Sequence, residues 1–71
     1  MDEIGITTNT IQLDQFLKWA GIVESGGQAK LLIEDGMVFI NGAQSYERRK
    51  KIKPGDIIEI TNIGKWKVTT E

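Results

Sequence analysis

Two short apolar stripes of helical period, held close together in the chain, constrain this sequence more than anything else in it. Leu13, Phe16, Leu17 and Ala20 stand at i, i+3, i+4 and i+7, one face of a helix. Ala29, Leu32 and Ile33 form a second stripe. The link Gly21–Glu24 is too short to let the two helices part, so they make a compact corner. Their boundaries are marked. Asp14 lies in the first turn of the first helix, where a carboxylate suits the positive end of the helix dipole, and Gly21 is a natural C′ stop. Ser25 and Gln28 have the spacing of a capping box, with Ser25 as N-cap and Gln28 at N3. Gly36 closes the second helix.

Two apolar stripes need a third surface to cover them, and the remaining sequence reads as strands. Residues 3–12, rich in Thr and Ile, predict an N-terminal strand and a lead-in. Met37–Ile40 is a short apolar strand. Asn41-Gly42 follows, a strong hairpin signal because both central residues of a type I′ turn need positive φ. The chain returns through Ala43–Tyr46 into a basic segment. Pro54-Gly55 fits the central positions of a type II turn. Asp56–Ile60 is a further strand, Asn62–Gly64 a turn, and Lys65–Thr70 a last strand expected to lie near the N-terminal one. The predicted class is α+β: a two-helix corner packed on a small, curled, mostly antiparallel sheet. A chain of 71 residues is one domain, 1–71, and buries only about 60% of its unfolded surface.

Composition narrows the chemistry. There is no cysteine, which excludes disulfides, thiolate metal sites and cysteine nucleophiles and favours a reducing cytosol. There is no histidine, so the commonest general base and neutral metal ligand are missing. No nucleophile-plus-base pair is visible, and the expectation is a protein that is not an enzyme and uses no cofactor or metal. Asp14 is accounted for by the helix dipole, and Glu34-Asp35 by a solvated helix end. No apolar run approaches the roughly 20 residues of a membrane span. A cytoplasmic protein that does not engage the membrane is expected.

Net charge is −1, but segment 47–53 holds five cations and one anion, a local charge of +4. Local field, rather than net charge, steers a polyanion to a surface. Arg48, Arg49, Lys50, Lys51 and Lys53 are the leading candidates for phosphate contact, since Arg forks onto phosphate with two parallel bonds and Lys adds a point charge. Gly26 and Gly27, with Ser25 and Gln28, open the second helix. Their bare N–H groups would accept a phosphate at short range, with Lys30 one turn on. The competing readings are close packing of the glycines against the first helix and an i, i+4 pair between Lys30 and Glu34. Lys18 points away from the apolar stripe and adds to the basic set. Trp19 and Trp66 belong more often to a core or its margin than to a stacking platform. Tyr46, beside the basic run, is the better candidate for stacking on a base.

The order of these elements resembles a known family. Leu13-Asp14-x-Phe16-Leu17 is followed by Ser25-Gly26-Gly27-x-Ala29-Lys30. Then come Ile33-x-x-Gly36-x-Val38-x-Ile40-Asn41-Gly42 and Pro54-Gly55-Asp56-x-Ile58. Over roughly residues 12–60 the chain is similar to the RNA-binding domain first described in ribosomal small-subunit protein four, the S-four domain. Ser-Gly-Gly-x-Ala-Lys with Glu47-x-Arg49 looks like its stand-alone bacterial subfamily. The resemblance implies an alpha-L motif, the helical corner beside a small sheet, and binding of structured RNA through basic side chains of the helices and hairpin region. The sequence departs from the pattern at Gln12 and Gly26, where that family often carries Arg, so its helical face is less basic.

The leading expectation is a monomeric, non-catalytic module for structured ribosomal or transfer RNA, on or off the ribosome, contacting mainly phosphate and sugar. The alternative is a protein-interaction adaptor that docks on an acidic partner surface.

Overall fold

Helix α1 runs Leu13–Trp19 and α2 runs Gly26–Glu34 in the computed structural model, which describes residues 1–71. Isolated helices this short are marginal in water, so packing must hold them. Leu13, Phe16 and Leu17 of α1 and Ala29 and Ile33 of α2 are fully buried. Gly21 and Gly36 both have φ of +74° and end the helices as their positions predict. The cap of α2 is a variant of the expected box. Ser25 Oγ accepts from Gln28 N at 3.2 Å, but Gln28 Oε1 accepts from the N–H of Glu24 at 2.7 Å, one residue before the N-cap.

Seven strands supply the covering surface: β1 Asp2–Ile6, β2 Ile11–Gln12, β3 Val38–Ile40, β4 Ala43–Gln44, β5 Lys51–Ile52, β6 Ile57–Ile60 and β7 Gly64–Thr70. They form two sheets rather than the one expected. The larger has the order β1-β7-β6-β3-β4, and β2 pairs with β5 in a separate two-stranded ribbon. β1 and β7 run parallel with Ile4 opposite Val68, so the first and last strands lie side by side; the other pairings are antiparallel. Along β6 the alternation is strict, and Ile58 and Ile60 point into the core with Ile6, Val38 and Val68. Each such side chain contributes about 1.5–3 kcal/mol on burial. The sheet's inner face and the two helical stripes enclose one cluster of 12 residues.

The hairpin forms as read. Ile40 pairs with Ala43, and Asn41 and Gly42 have φ of 51° and 84°, as a type I′ turn requires. The returning strand is shorter than Ala43–Tyr46: only Ala43 and Gln44 pair. Pro54-Gly55 also forms its turn, with Gly55 at φ 99° and Asp56 N donating to Lys53 O at 3.0 Å.

Candidate nucleic-acid interface

The basic run is a structured segment. Its one apolar residue, Ile52, is completely buried and pairs with Ile11 across the small ribbon. A second set of bonds fixes the other end. Helix α1 has no side-chain N-cap bond at Gln12. Instead, Leu13 N donates to Lys50 O at 2.8 Å and Asp14 N donates to Arg48 O at 2.9 Å. Backbone carbonyls of the basic segment thus satisfy two of the orphan donors that begin every helix. The run is clamped to α1 by its backbone, and its side chains are left exposed.

That clamp divides the cations. Lys50, Lys51 and Lys53 line a groove of about 610 Å³ between the segment and the β3–β4 hairpin, together with Gln44, Ser45 and Tyr46. Arg48 and Arg49 lie on the exposed turn before β5, outside the groove. Of the five cations only Lys53 has an anionic partner, Asp56 Oδ1 at 3.5 Å; the other four form no ion pair. Four adjacent unpaired charges repel one another, so an anion seated here is favoured.

The groove's floor is held by a contact between two turns far apart in the chain. Asp56 is a buried charged residue. Its carboxylate accepts from Asn41 Nδ2 at 3.0 Å and from Lys53 N at 2.9 Å. Asn41 Oδ1 in turn accepts from Ile57 N at 2.9 Å. These bonds lock the hairpin turn to the Pro54-Gly55 turn. Burial pushes the Asp56 carboxyl up, but hydrogen bonds from Asn41 and the Lys53 backbone, with the Lys53 charge, together outweigh it and hold the group below its ordinary value.

Tyr46 is 61% exposed. A Cβ added to Gly36 would stand 3.1 Å from its hydroxyl and 2.6 Å from Gln44 Nε2. Gln44 Nε2 itself donates to Gly36 O at 2.7 Å. The missing side chain at the end of α2 therefore lets the hairpin and Tyr46 close onto the helix.

The remaining candidates lie off this groove. Lys18 borders a shallow hollow with Ile11, Gln15 and Trp19. Lys30 is engaged with Glu34 at 4.0 Å, an i, i+4 pair worth a few tenths of a kcal/mol. The close-packing reading of the glycines is not what holds them there. A Cβ on Gly26 meets nothing within 4 Å, and one on Gly27 meets only Ser25 Oγ at 3.8 Å, so the start of α2 is open to an approaching ligand. Trp66 packs partly buried against the core, as expected. Trp19 does not: it is 52% exposed and lies outside the core cluster, because its Nε1 reaches back to donate to Gly5 O at 2.7 Å. No group of three or more metal-ligating side chains comes together, and no helix is long and apolar enough to cross a membrane.

A two-helix corner on a mostly antiparallel sheet, with a backbone-clamped basic segment beside a hairpin, defines a class of small α+β domain. The chain belongs to the S4 domain family, whose model matches residues 4–69. It is similar to "Probable ribosome maturation protein RlbA" of Bacillus subtilis (strain 168), with 38% identity over 65 residues, a match covering 92% of each chain. It is 37% identical over 57 residues to small ribosomal subunit protein uS4 of Kosmotoga olearia, covering 80% of this chain and 27% of that one. Among solved structures, the 30S ribosomal protein S4e of Thermoplasma acidophilum superposes with a TM-score of 0.57 at 19% identity, over 76% of this chain and 29% of that one. That likeness is one of fold.

Proposed function

We propose that this protein is a non-catalytic RNA-binding module that seats the phosphate backbone of a structured ribosomal RNA in the groove between the basic segment and the β3–β4 hairpin. Lys50, Lys51 and Lys53 meet phosphates along the groove, Arg48 and Arg49 fork onto phosphates at its mouth, and Tyr46 packs on a sugar or base. The open turn Ser25-Gly26-Gly27-Gln28, with the alpha-L corner behind it, is a second approach for phosphate, to which Lys30 and Lys18 add charge. The observation that carries this reading is the clamp. Structure is spent on holding a run of unpaired cations in place by backbone bonds to α1 and by burial of Ile52, while their side chains stay free. A solvated loop has no need of such anchoring. The sequence relatives' names point the same way, since one is a probable ribosome maturation protein and the other a small ribosomal subunit protein. An A-form helix is recognised by shape and by its phosphates and 2′-hydroxyls, which suits a groove of lysines.

The test is crosslinking of the protein to RNA in growing cells, followed by sequencing of the attached RNA. Ribosomal RNA enriched at a defined helix, and lost with the five basic residues changed to alanine, is the expected result. Transfer RNA in its place would redirect the assignment. Protein recovered without RNA, bound instead to an acidic protein, would replace the reading with that of an adaptor.

A further inference from the structure

Beside the basic groove lies a smaller hollow of about 360 Å³, within the size range of small-ligand sites. Trp19, Gln12 and Gln15 wall it from the α1 side, Thr7 and Thr10 from the β1–β2 loop, and Lys51 borders it. Lys51 also lines the basic groove, so the two depressions share that residue. An adjoining hollow shares Trp19 and Gln15 and is bordered by Lys18. Each side of the Trp19 ridge therefore carries a cation.

The ring's setting is unusual for a tryptophan in a small domain. It is half-exposed and outside the core cluster, so the core does not account for it. It is also not free to swing. Its only polar atom is committed to Gly5 O at 2.7 Å, which fixes the indole and leaves its π-surface, not its N–H, to meet a ligand. Around it, the side chains of Thr7, Thr10, Gln12 and Gln15 make no hydrogen bond within the protein. The loop that carries the threonines is braced by Thr8 Oγ1 donating to Thr10 O at 2.6 Å. A fixed aromatic face, a rim of unused amide and hydroxyl groups, and a lysine shared with a phosphate groove match one kind of occupant: a flat heteroaromatic ring with polar edges, attached to a polyanion.

We propose that this hollow holds a single unstacked nucleobase of the bound RNA, lying on Trp19 with its edge toward Gln12, Gln15 and the threonines, while its phosphate stands at Lys51. The inference rests on the RNA reading above and adds to it a requirement. Bases inside an A-form stem are stacked and their faces inaccessible, so the RNA must present a bulge, loop or frayed end. Side-chain amides and hydroxyls offer both donors and acceptors, which gives the site a means of preferring one base over another.

The experiment uses three RNAs built on one stem: fully paired, carrying one bulged purine nucleotide, and carrying the same bulge without its base. Each is titrated against the full chain by fluorescence polarisation at one salt concentration. Wild-type protein should favour the bulged purine over the abasic bulge by about 5- to 150-fold, the range that one stacked base supplies. Trp19→Phe and Trp19→Leu both lose the bond to Gly5 O, so any cost to folding is common to the pair. The Phe variant should keep most of the preference, and the Leu variant should lose it while binding the paired stem like wild type. A base-to-abasic ratio of one in wild-type protein, or a ratio retained in Trp19→Leu, overturns the inference and leaves the phosphate groove standing. Failure of all three RNAs to bind overturns both.

Discussion

Replacing Lys50 and Lys51 together with alanine isolates the groove's electrostatics from its architecture. Everything the structure asks of these two residues for folding is made by their backbones. Lys50 O caps α1 through Leu13 N at 2.8 Å, and Lys51 pairs with Gln12 in the small ribbon. Neither side chain forms an ion pair. Surface changes of this kind stay within about 0.5 kcal/mol, or roughly 2–4 °C in Tm for so small a domain. Binding should respond quite differently. If about four of the five cations meet phosphates, the logarithm of the affinity falls against that of salt with a slope of roughly −3 to −4, at 0.7–0.9 per contact. Between 50 and 200 mM salt this is a loss of about 60- to 250-fold. Removing two contacts flattens the slope by roughly 1.4–1.8, and the same change in salt then costs about 10- to 20-fold. The assay is a filter-binding series at four or more salt concentrations with a structured ribosomal RNA fragment, with circular dichroism melts of both proteins alongside. Arg48→Ala with Arg49→Ala is the companion pair and should flatten the slope by about 1–2 if the RNA crosses the turn as well as the groove. A slope unchanged in the lysine pair, with the fold intact, would refute the reasoning, because the clamped segment would then be holding charges that meet nothing.

Two further predictions bear on the groove's surroundings. Gly27→Val places a side chain where only Ser25 Oγ lies within 4 Å, and valine is no worse than glycine in a helix. The melting temperature should hold or rise slightly while RNA binding weakens several-fold, and unchanged binding would remove the start of α2 from the interface. The Asp56 carboxyl is held below its ordinary value of 3.8, so its stabilising effect is complete above that value and is lost as pH falls through the lower folded one. Asp56→Asn turns one acceptor into a donor facing Asn41 Nδ2 or Lys53 N, at a cost of about 1–3 kcal/mol at neutral pH. Thermal melts from pH 2 to 7 should show the gap between wild type and variant narrowing on the acid side. A gap that stays constant with pH would mean that the carboxylate's charge plays no part.

How much of this could be read from the chain follows from the range of each interaction. The two helices, their stops at Gly21 and Gly36, the Ser25 cap, the Asn41-Gly42 hairpin and the Pro54-Gly55 turn were all legible in the sequence. Each is decided by the backbone preferences of residues within a few positions of one another, and by the 3.6-residue period. The basic run was equally visible as a concentration of charge. What it does with that charge was not. A strand of two residues with a single apolar member, Lys51-Ile52, has no period to detect, and its partner Ile11-Gln12 has none either. Only when the corner and the sheet close around Ile52 does the run acquire a place, and only then do its carbonyls at Arg48 and Lys50 reach the bare start of α1. The same closure separates three groove lysines from two arginines on the turn. It brings Asn41 to Asp56 across 15 positions and ties the Trp19 ring to Gly5, outside the core or core margin its sequence position suggested. Local chemistry determined the elements and the supply of charge. Contacts between residues far apart in the chain, which exist only once the core has formed, decided which of those charges share a surface and which aromatic ring stands beside them.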